Sequence, residues 1–418
     1  MLVGLAAADV RDYQSRIRAA LFAAEPLPPL APQTHGQFEP AEGVIAERVS
    51  YGTQFGMRVP AILYRPKTQR GRIPGLIVVN GHGGDKFSWY AMYAGILYAR
   101  AGAVVLTYDP AGEGERNIDR KSGTRAHDKV EPPPELARRL GGLMMTDVMQ
   151  AVSYLAGRKE VDPKRLAAFG YSMGSFVLSL TCAVERRLKA CVLSGGGNLD
   201  GPGGYWDNSK PMCQGIPYKS LSFLGDRPAV IYALHAWRGP TLVINGLEDT
   251  TVRIPEFGVA GFRDLQKRVA ALRGTEKGVF ETEFIPGVAH RPFLVTRPVA
   301  LWLERRLDFP NWTEESIRAM PETRIGDWAR ANGVAMDPLY ATEQREGGTP
   351  ALGTGIPAPS REALCVFSQE EWERRKHQLI HEAWLKAGWP SLPQWAASER
   401  IPLQQPTEIT FSAAATLK

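Results

Sequence analysis

The chain has 418 residues, of which 44% are hydrophobic and 22% are charged, a composition typical of a folded globular protein and not of a disordered one. Its formal net charge is +6, but lysine and arginine are scattered among acidic residues, and the longest basic cluster is ERRKH at 373–377. These features argue against a nucleic acid partner, and no apolar run approaches the ~20 residues that span a bilayer.

The first residues, 1–43, are predicted to form a helical and loop segment before the core. Their opening, MLVGLAAAD, is similar to the end of a signal-peptide apolar region with an Ala-x-Ala ending, although no positively charged residues come before it. If this stretch is such a remnant, we expect an exported protein, periplasmic or secreted. If it is an ordinary first helical turn, the compartment stays open.

Residues 44–66 alternate apolar and polar side chains around a glycine-containing turn, which predicts an antiparallel hairpin. Helices are predicted over 87–102 and 145–158, and residues 278–287 alternate again, like an edge strand. Short apolar runs without alternation, typical of parallel strands buried on both faces, occupy 75–81, 103–110, 166–172, 190–196 and 241–249. The predicted fold class is therefore α/β, with a mostly parallel central sheet of about eight strands flanked by helices.

Two insertions, 110–143 and 197–220, follow the C-terminal ends of predicted strands, which is the edge where open α/β sheets bind ligands. We predict a core domain over 44–307 that contains both insertions. Residues 308–418 are rich in Trp, Pro and Gly and are predicted to form a C-terminal extension packed on that core.

The clearest helix of this extension covers 368–388 and opens with Ser368, three residues before Glu371, in capping-box spacing. His377 and His381 lie four residues apart on it, but no third metal ligand accompanies them. Surface or packing histidines are therefore favoured over a metal pair.

The four cysteines lack CxxC spacing and indicate neither a zinc site nor a dense disulfide framework. Cys182 and Cys191 fall in a predicted buried helix and strand, where we expect free cysteines that pack as small hydrophobic side chains. A bridge between Cys213 and Cys365 has no support in the sequence.

One serine carries the strongest chemical signal. GYSMG at 170–174 follows a buried strand and precedes an apolar helix, the setting in which Gly-x-Ser-x-Gly holds a serine on a sharp turn. The two glycines remove side chains that would collide with the neighbouring strand and helix. We therefore interpret Ser172 as a nucleophile at the top of the sheet rather than as a helix-initiating serine.

A serine hydroxyl needs a base to take its proton and an acid to orient that base. In this setting the acid follows the serine in the chain, and the histidine base follows the acid. Gly246 ends a buried strand and is followed by two carboxylates, Glu248 and Asp249, while Asp200 comes after the preceding strand. His290 alone among the seven histidines follows the predicted edge strand and precedes the last core helix.

Two backbone N–H groups are needed to stabilise the tetrahedral intermediate. One is expected from Met173, which follows the nucleophile, and the other from the glycine-rich loop NGHGGDKF, where the N–H of His82 is the candidate and Gly83 the alternative. In the second insertion, Tyr205 and Trp206 are candidate substrate-binding residues, with a packing role as the alternative.

These motifs resemble those of the α/β-hydrolase superfamily over roughly residues 44–307, the catalytic domain of such enzymes. The carrying segments are NGHGG (80–84), YDPAGEGER (108–116), VDPKRLAAFGYSMGS (161–175), NGLEDTTV (245–252) and PGVAH (286–290). Residues 161–174 are similar to the dienelactone hydrolase and bacterial acetyl xylan esterase branch. The chain differs from many relatives in having Asn80 before Gly81, where His-Gly is frequent, and Ser175, where a further glycine is common.

The resemblance favours Asp249, the third residue after Gly246, as the acid. It implies an α/β-hydrolase fold and hydrolysis of carboxylic esters through an acyl-enzyme, without a metal or an organic cofactor. We thus expect a serine esterase acting on small-molecule or carbohydrate esters, in the first place a carbohydrate acetyl esterase.

The alternatives are a dienelactone or lactone hydrolase, a peptidase of the prolyl oligopeptidase type, and a non-catalytic ligand-binding protein. Peptidases of that type usually carry a large propeller, and we expect none here because only about seventy residues precede the first predicted parallel strand at 75–81. The sequence does not fix the oligomeric state.

Overall fold

The computed structural model describes residues 5–129, 134–202, 204–205, 210–236, 239–275, 278–335 and 348–380. Its centre is a nine-stranded sheet in the order β1-β2-β3-β5-β4-β6-β7-β8-β9. The strands are β1 (Gln33–Ala41), β2 (Val44–Gly52), β3 (Arg58–Pro66), β4 (Ile73–Val79), β5 (Val104–Tyr108), β6 (Val161–Tyr171), β7 (Ala190–Ser194), β8 (Thr241–Gly246) and β9 (Phe280–Ile285).

The pairing divides the sheet into two parts. β1, β2, β3 and β5 pair antiparallel in that order, whereas β5, β4, β6, β7, β8 and β9 pair parallel. The mostly parallel α/β sheet is therefore confirmed, as are the hairpin of β2 with β3 and the edge position of β9.

Strand β1 is the one strand of the described central sheet beyond the eight expected. It falls within residues 1–43, where the sequence predicted only helix and loop. None of its residues is buried, so it lacks the alternation of apolar side chains that marks a half-buried strand. Its place comes from antiparallel pairing with β2, from Gln33 opposite Ser50 to Ala41 opposite Val44.

Helices cover both faces of the sheet. They are α1 (Ala7–Ala20), α2 (Trp89–Arg100), α3 (Pro134–Ala156), α4 (Met173–Val184), α5 (Ile216–Lys219), α6 (Arg227–Ala236), α7 (Ile254–Arg273), α8 (Arg297–Leu307), α9 (Glu314–Ala319), α10 (Ile325–Asn332), α11 (Arg361–Leu364) and α12 (Gln369–Leu379). None of them, within the described part of the chain, combines the length and apolar character needed to cross a bilayer.

Alternate residues of β4 enter two separate apolar cores, as the period of two of a strand requires. Ile77 and Val79 face the core formed with α1, α3, α4, α6 and α7. Leu76 and Val78 face the core formed with α2, α8 and the segments after residue 309. This three-layer arrangement buries both faces of the parallel strands, which explains why their sequences are continuous apolar runs.

Helix α3 begins eleven residues earlier than predicted, inside the stretch 110–143 that the sequence indicated as an insertion. Leu136, Leu140 and Leu143 are buried along one face, but charged residues and a pair of glycines between them obscure the helical pattern. One of those glycines is required by packing, because a Cβ on Gly142 would lie 2.0 Å from the carbonyl oxygen of Leu21.

The cysteines differ from the prediction. Cys182 of α4 and Cys191 of β7 form a disulfide, where two free cysteines were expected. The reason is tertiary: α4 packs against β7 and brings the two sulfurs together without any sequence signature. Cys213 and Cys365 are free thiols.

The segment after α8 packs on the second core. It contains a separate antiparallel pair, β10 (Glu322–Arg324) with β11 (Pro350–Leu352). The hydroxyl of Ser368 accepts a hydrogen bond of 3.1 Å from the N–H of Glu371 at the start of α12, as predicted. Residues 381–388 of the predicted helix, including His381, lie outside the described residues.

A buried charge network fastens this segment to the core. The carboxylate of Glu115 accepts hydrogen bonds from the N–H groups of Val366 (2.7 Å) and Phe367 (3.1 Å) and lies 3.0 Å from Nζ of Lys86. Lys86 also pairs with Asp109. Burial alone would raise the pKa of Glu115, but Lys86 and the two N–H groups hold it below its usual value.

We expect Glu115→Gln to lower the free energy of unfolding by about 3 kcal/mol at pH 7, because it removes one carboxylate from a buried ion network. A carboxylate with a depressed pKa stabilises the fold above its ordinary pKa and loses that contribution as the pH falls through the folded value. The difference between wild type and variant should therefore shrink below about pH 4. Chemical denaturation at several pH values measures it.

The matched control is Glu370→Gln, which changes an exposed glutamate of α12 and should leave stability unchanged within about 0.5 kcal/mol. A difference for Glu115→Gln that stays constant between pH 7 and pH 3 would contradict this account of the network.

Candidate active site

Ser172 sits on a sharp turn between β6 and α4. Its φ of 54° and ψ of −116° lie in the positive-φ region that residues other than glycine rarely adopt. A Cβ on Gly170 would lie 2.4 Å from the carbonyl oxygen of Gly174, and one on Gly174 would lie 2.2 Å from that of Val79. Both glycines of GYSMG are thus required by backbone packing, and the predicted strand, turn and helix are present.

His290 and Asp249 form a hydrogen-bonded pair. Nδ1 of His290 lies 2.6 Å from Oδ2 of Asp249, which is fully buried, while His290 is 7% exposed. The other carboxylate oxygen of Asp249 accepts a hydrogen bond of 3.0 Å from the N–H of Thr251. The carboxylate is therefore fixed from both sides, and it in turn fixes the plane of the imidazole.

The imidazole lies beside the turn at Ser172. Its ring centroid is 5.0 Å from that of Tyr171, the residue before the serine, and a Cβ on Gly195 would lie 2.7 Å from its Cε1. The N–H of Ser172 donates to the carbonyl oxygen of Ser194, which directly precedes Gly195, at 2.8 Å. The imidazole thus lies next to the residues that flank the serine turn, at the carboxyl ends of β6 and β7.

The two other acids proposed from the sequence have different surroundings. Glu248 is exposed, and its N–H donates to the carbonyl oxygen of Val288 at 3.0 Å. Asp200 pairs with Arg227 at 3.0 Å. Among these three candidates within the described residues, only Asp249 contacts the ring of His290.

The glycine-rich loop after β4 lies against the turn. A Cβ on Gly81 would lie 2.9 Å from the ring of Tyr171, and one on Gly174 would lie 2.6 Å from the carbonyl oxygen of Asn80. The N–H of Met173 opens α4 and has no acceptor within the helix. The N–H of His82 has no backbone acceptor among the described residues, and the role of these two N–H groups as oxyanion donors stays a prediction.

Comparison with known proteins supports a hydrolase. The model of the prolyl oligopeptidase family matches residues 86–309, which is more than half of the chain. The chain belongs to the prolyl oligopeptidase family. The predicted resemblance to the α/β-hydrolases is thereby confirmed.

Solved structures show the same fold at low sequence identity. A protein named methylesterase BT1017 is similar over 93% of this chain and 73% of its own, with a TM-score of 0.58 and 19% identity. A Bacteroides fragilis protein described as a candidate acetyl xylan esterase is similar over 66% of this chain and 76% of its own, with a TM-score of 0.50 and 16% identity.

The curated relatives match a shorter stretch. The candidate hydrolase YtaP of Bacillus subtilis is 26% identical over 146 residues, which is 32% of this chain. The aligned stretch covers 47% of YtaP, so the chain spans about half the length of that relative.

Sequence reasoning missed the residue that joins the loops of Ser172 and His290 in this prolyl oligopeptidase family member. Ser194 ends β7, and its carbonyl oxygen accepts from the N–H of Ser172 and from the hydroxyl of Ser175 at 2.6 Å. Its own hydroxyl donates to the carbonyl oxygen of Arg291 (2.7 Å) and accepts from the N–H of Phe293 (3.2 Å). The sequence offered one signal for Ser194, namely that it is a polar residue at the end of a buried strand.

The segment after β5 carries buried carboxylates with shifted pKa values. Burial raises the pKa of Glu113 to about 7, although the N–H groups of Thr124 (2.9 Å) and Arg125 (2.6 Å) work against the shift. Burial also raises the pKa of Asp109 to about 6, with Lys86 opposing it. Both acids bind segments that cover the carboxyl edge of the sheet.

Tyr205, one of the two candidate substrate-binding residues, is not open to solvent. It is 4% exposed, and its ring centroid lies 4.3 Å from that of Phe176 in α4. Tyr205 therefore packs from the second insertion onto α4, while Trp206 lies outside the described residues. His377 is exposed on α12.

We expect Ser194→Ala to lower the free energy of unfolding by about 1–3 kcal/mol, because it leaves the buried carbonyl of Arg291 and the N–H of Phe293 without their partner. Denaturant unfolding measures this loss. The matched control is Ser179→Ala, whose hydroxyl bonds to the carbonyl oxygen of Ser175 inside α4 and should cost less than about 1 kcal/mol. Equal losses in the two variants would show that Ser194 has no special role.

Proposed function

We propose that the protein is a serine esterase that hydrolyses carboxylic esters through an acyl-enzyme, with acetylated carbohydrates as its substrate class. The observation that carries the proposal is the 2.6 Å hydrogen bond between His290 and Asp249 beside the positive-φ turn at Ser172. A buried carboxylate bound to Nδ1 leaves Nε2 of the imidazole as the nitrogen that accepts the serine proton.

The reaction proceeds in two halves. The Oγ of Ser172 attacks the ester carbonyl while Nε2 of His290 takes its proton, and Asp249 stabilises the imidazolium. The N–H groups of Met173 and His82 bind the negative oxygen of the intermediate. The imidazolium then protonates the leaving alcohol, and a water molecule, deprotonated by the same imidazole, releases the acid from the serine.

The carboxylic ester class is supported by the comparison with solved structures. The methylesterase and the candidate acetyl xylan esterase share the fold over most of their own chains. The family match favours a second candidate, a peptidase that cleaves peptide bonds with the same three residues. The two candidates differ in leaving group and are separated by substrate, not by the triad.

We expect Ser172→Ala to abolish hydrolysis of p-nitrophenyl acetate and labelling by a fluorophosphonate probe, because both need the serine oxygen as a nucleophile. Ser222→Ala, which removes an exposed hydroxyl, is the control and should retain wild-type rates. Wild-type protein that neither hydrolyses the ester nor reacts with the probe would favour a non-catalytic ligand-binding protein. Activity retained in Ser172→Ala would remove the serine from the mechanism.

We expect Asp249→Asn to lower kcat for the same ester by about 10⁴-fold, because an amide cannot hold the imidazole in the required tautomer. Glu248→Gln is the control, since Glu248 is exposed and does not touch the histidine. Steady-state kinetics measures both variants. A larger loss in Glu248→Gln than in Asp249→Asn would reassign the acid.

The substrate class is tested with a panel at matched concentrations: acetylated xylo-oligosaccharides, methyl esters of sugar acids, aryl esters, lactones and prolyl peptide anilides. We expect the highest kcat/KM on acetylated carbohydrates. Preference for lactones or for methyl esters would keep the esterase mechanism and change the substrate. Preference for the anilides would favour the peptidase.

A further inference from the structure

Four side chains that can bind metals meet next to the glycine-rich loop after β4. They are His82 of that loop, His127 and Asp128 of the segment after β5, and Cys213 of the short helical turn Pro211–Gly215. Their ligand atoms all lie within 4.8 Å of one another. Three separate segments thus direct two imidazoles, a carboxylate and a thiol toward one point.

Three of the four ligand atoms are spaced like those in the ligand shell of a small ion. Nε2 of His82 lies 3.0 Å from Nε2 of His127 and 3.3 Å from Oδ2 of Asp128, and Nε2 of His127 lies 3.6 Å from Oδ1 of Asp128. Zinc binds nitrogen and oxygen ligands at 2.0–2.2 Å, so neighbouring ligands of a tetrahedral site are about 3.3–3.6 Å apart. The separations of 3.3 and 3.6 Å match this range, and the separation of 3.0 Å between the two imidazole nitrogens is shorter.

Two of the four residues are buried, and one ligand atom of the cluster lacks a partner within the described chain. Cys213 and His127 are at most 1% exposed, and Cys213 is a free thiol. Oδ1 of Asp128 is buried and has no hydrogen-bond partner among the described residues. Buried polar atoms normally have a partner, so this oxygen itself points to a missing ligand.

We propose that His82, His127, Asp128 and Cys213 form a four-coordinate zinc site. Mixed nitrogen, sulfur and oxygen ligands select zinc over magnesium or calcium, which take oxygen ligands alone. One carboxylate and one thiolate balance the charge of the ion, and the thiol proton is released to solvent on binding. Lys210, whose Nζ lies 3.7 Å from Oδ2 of Asp128, has a side chain 56% exposed and can turn into solvent.

Four protein ligands make a closed site, which is the structural type rather than the catalytic one. The ion would hold the loop after β4 against the segment after β5, where the N–H of Gly123 already donates to the carbonyl oxygen of Gly83 at 3.0 Å. His82 is thus a positioning residue through its ring, while its N–H serves the proposed oxyanion site. The effect on catalysis rests on the proposed function, but zinc binding does not.

A second buried group, Cys182, Cys191 and His235, shows what such a cluster looks like when it is satisfied. Its two sulfurs are bonded to each other. Nδ1 of His235 lies 2.9 Å from the hydroxyl of Thr241, and Nε2 contacts the carbonyl oxygen of Ser179. No ligand atom is left for an ion there.

The test uses the full chain, freed of any affinity tag and treated with a chelator without reductant, titrated with Zn²⁺ by calorimetry and analysed for bound metal. We expect one zinc per chain. Cys213→Ser and His127→Asn should weaken binding more than about 100-fold, since losing even an outer-shell partner costs 10–100-fold. Cys365→Ser and His377→Asn are the controls and should bind like wild type.

Two further measurements keep the outcomes distinct. Ser172→Ala should bind zinc like wild type, so an inactive esterase would leave this proposal standing. Co²⁺ added to the wild-type protein should give the absorption bands of a tetrahedral site with thiolate-to-metal charge transfer. This measurement uses the wild-type protein alone and so does not depend on whether a variant folds. Wild-type protein that binds no zinc at micromolar concentration, or binds it without loss in the Cys213 and His127 variants, would overturn the proposal as an adventitious ion only.

Discussion

The site depends on the end of β7, where Ser194 uses its backbone and its side chain for different loops. Its carbonyl oxygen accepts from the N–H of Ser172 at 2.8 Å, and its hydroxyl bonds to the carbonyl oxygen of Arg291 and the N–H of Phe293, just after His290. A parallel strand ends at the same sheet edge as its neighbours, so one residue there can reach the loops on both sides. The loops of the proposed nucleophile and base are therefore both hydrogen-bonded to one buried residue. This residue fixes the position of each loop relative to the other.

The strained backbone at Ser172 persists because the surrounding chain leaves no room for another backbone conformation there. A non-glycine residue at φ 54° costs of the order of 1–3 kcal/mol, which persists only where packing enforces it. The absent side chains of Gly170, Gly174 and Gly246 let α4, the loop after β4 and the loop before His290 approach to backbone contact. A Cβ on Gly246, for example, would lie 2.0 Å from the carbonyl oxygen of Val288.

The features that could be predicted are those written into consecutive residues. The buried strands, GYSMG and the position of His290 after an alternating strand all follow from local patterns, and they place the sheet and the candidate triad. The strand β1, the disulfide of Cys182 with Cys191, and the hydrogen bonds of Ser194 were missed for one physical reason. Each depends on a contact between segments distant in sequence, which no local periodicity encodes. The cluster of His82 with three other residues was missed in the same way, since the two histidines are 45 positions apart and Asp128 and Cys213 are 85 positions apart.

Strand β5 and the segment after it hold the glycine-rich loop that follows β4. The glycine-rich loop is held at its start by Asn80, whose amide donates to the carbonyl oxygen of Tyr108 at 2.8 Å, in its middle by His82 against His127, and at its end by Lys86 against Asp109. All three partners belong to β5 or to the residues that follow it. Because electrostatic stabilisation of an oxyanion requires donors fixed before the reaction, the segment that follows β5 acts as a support for that loop.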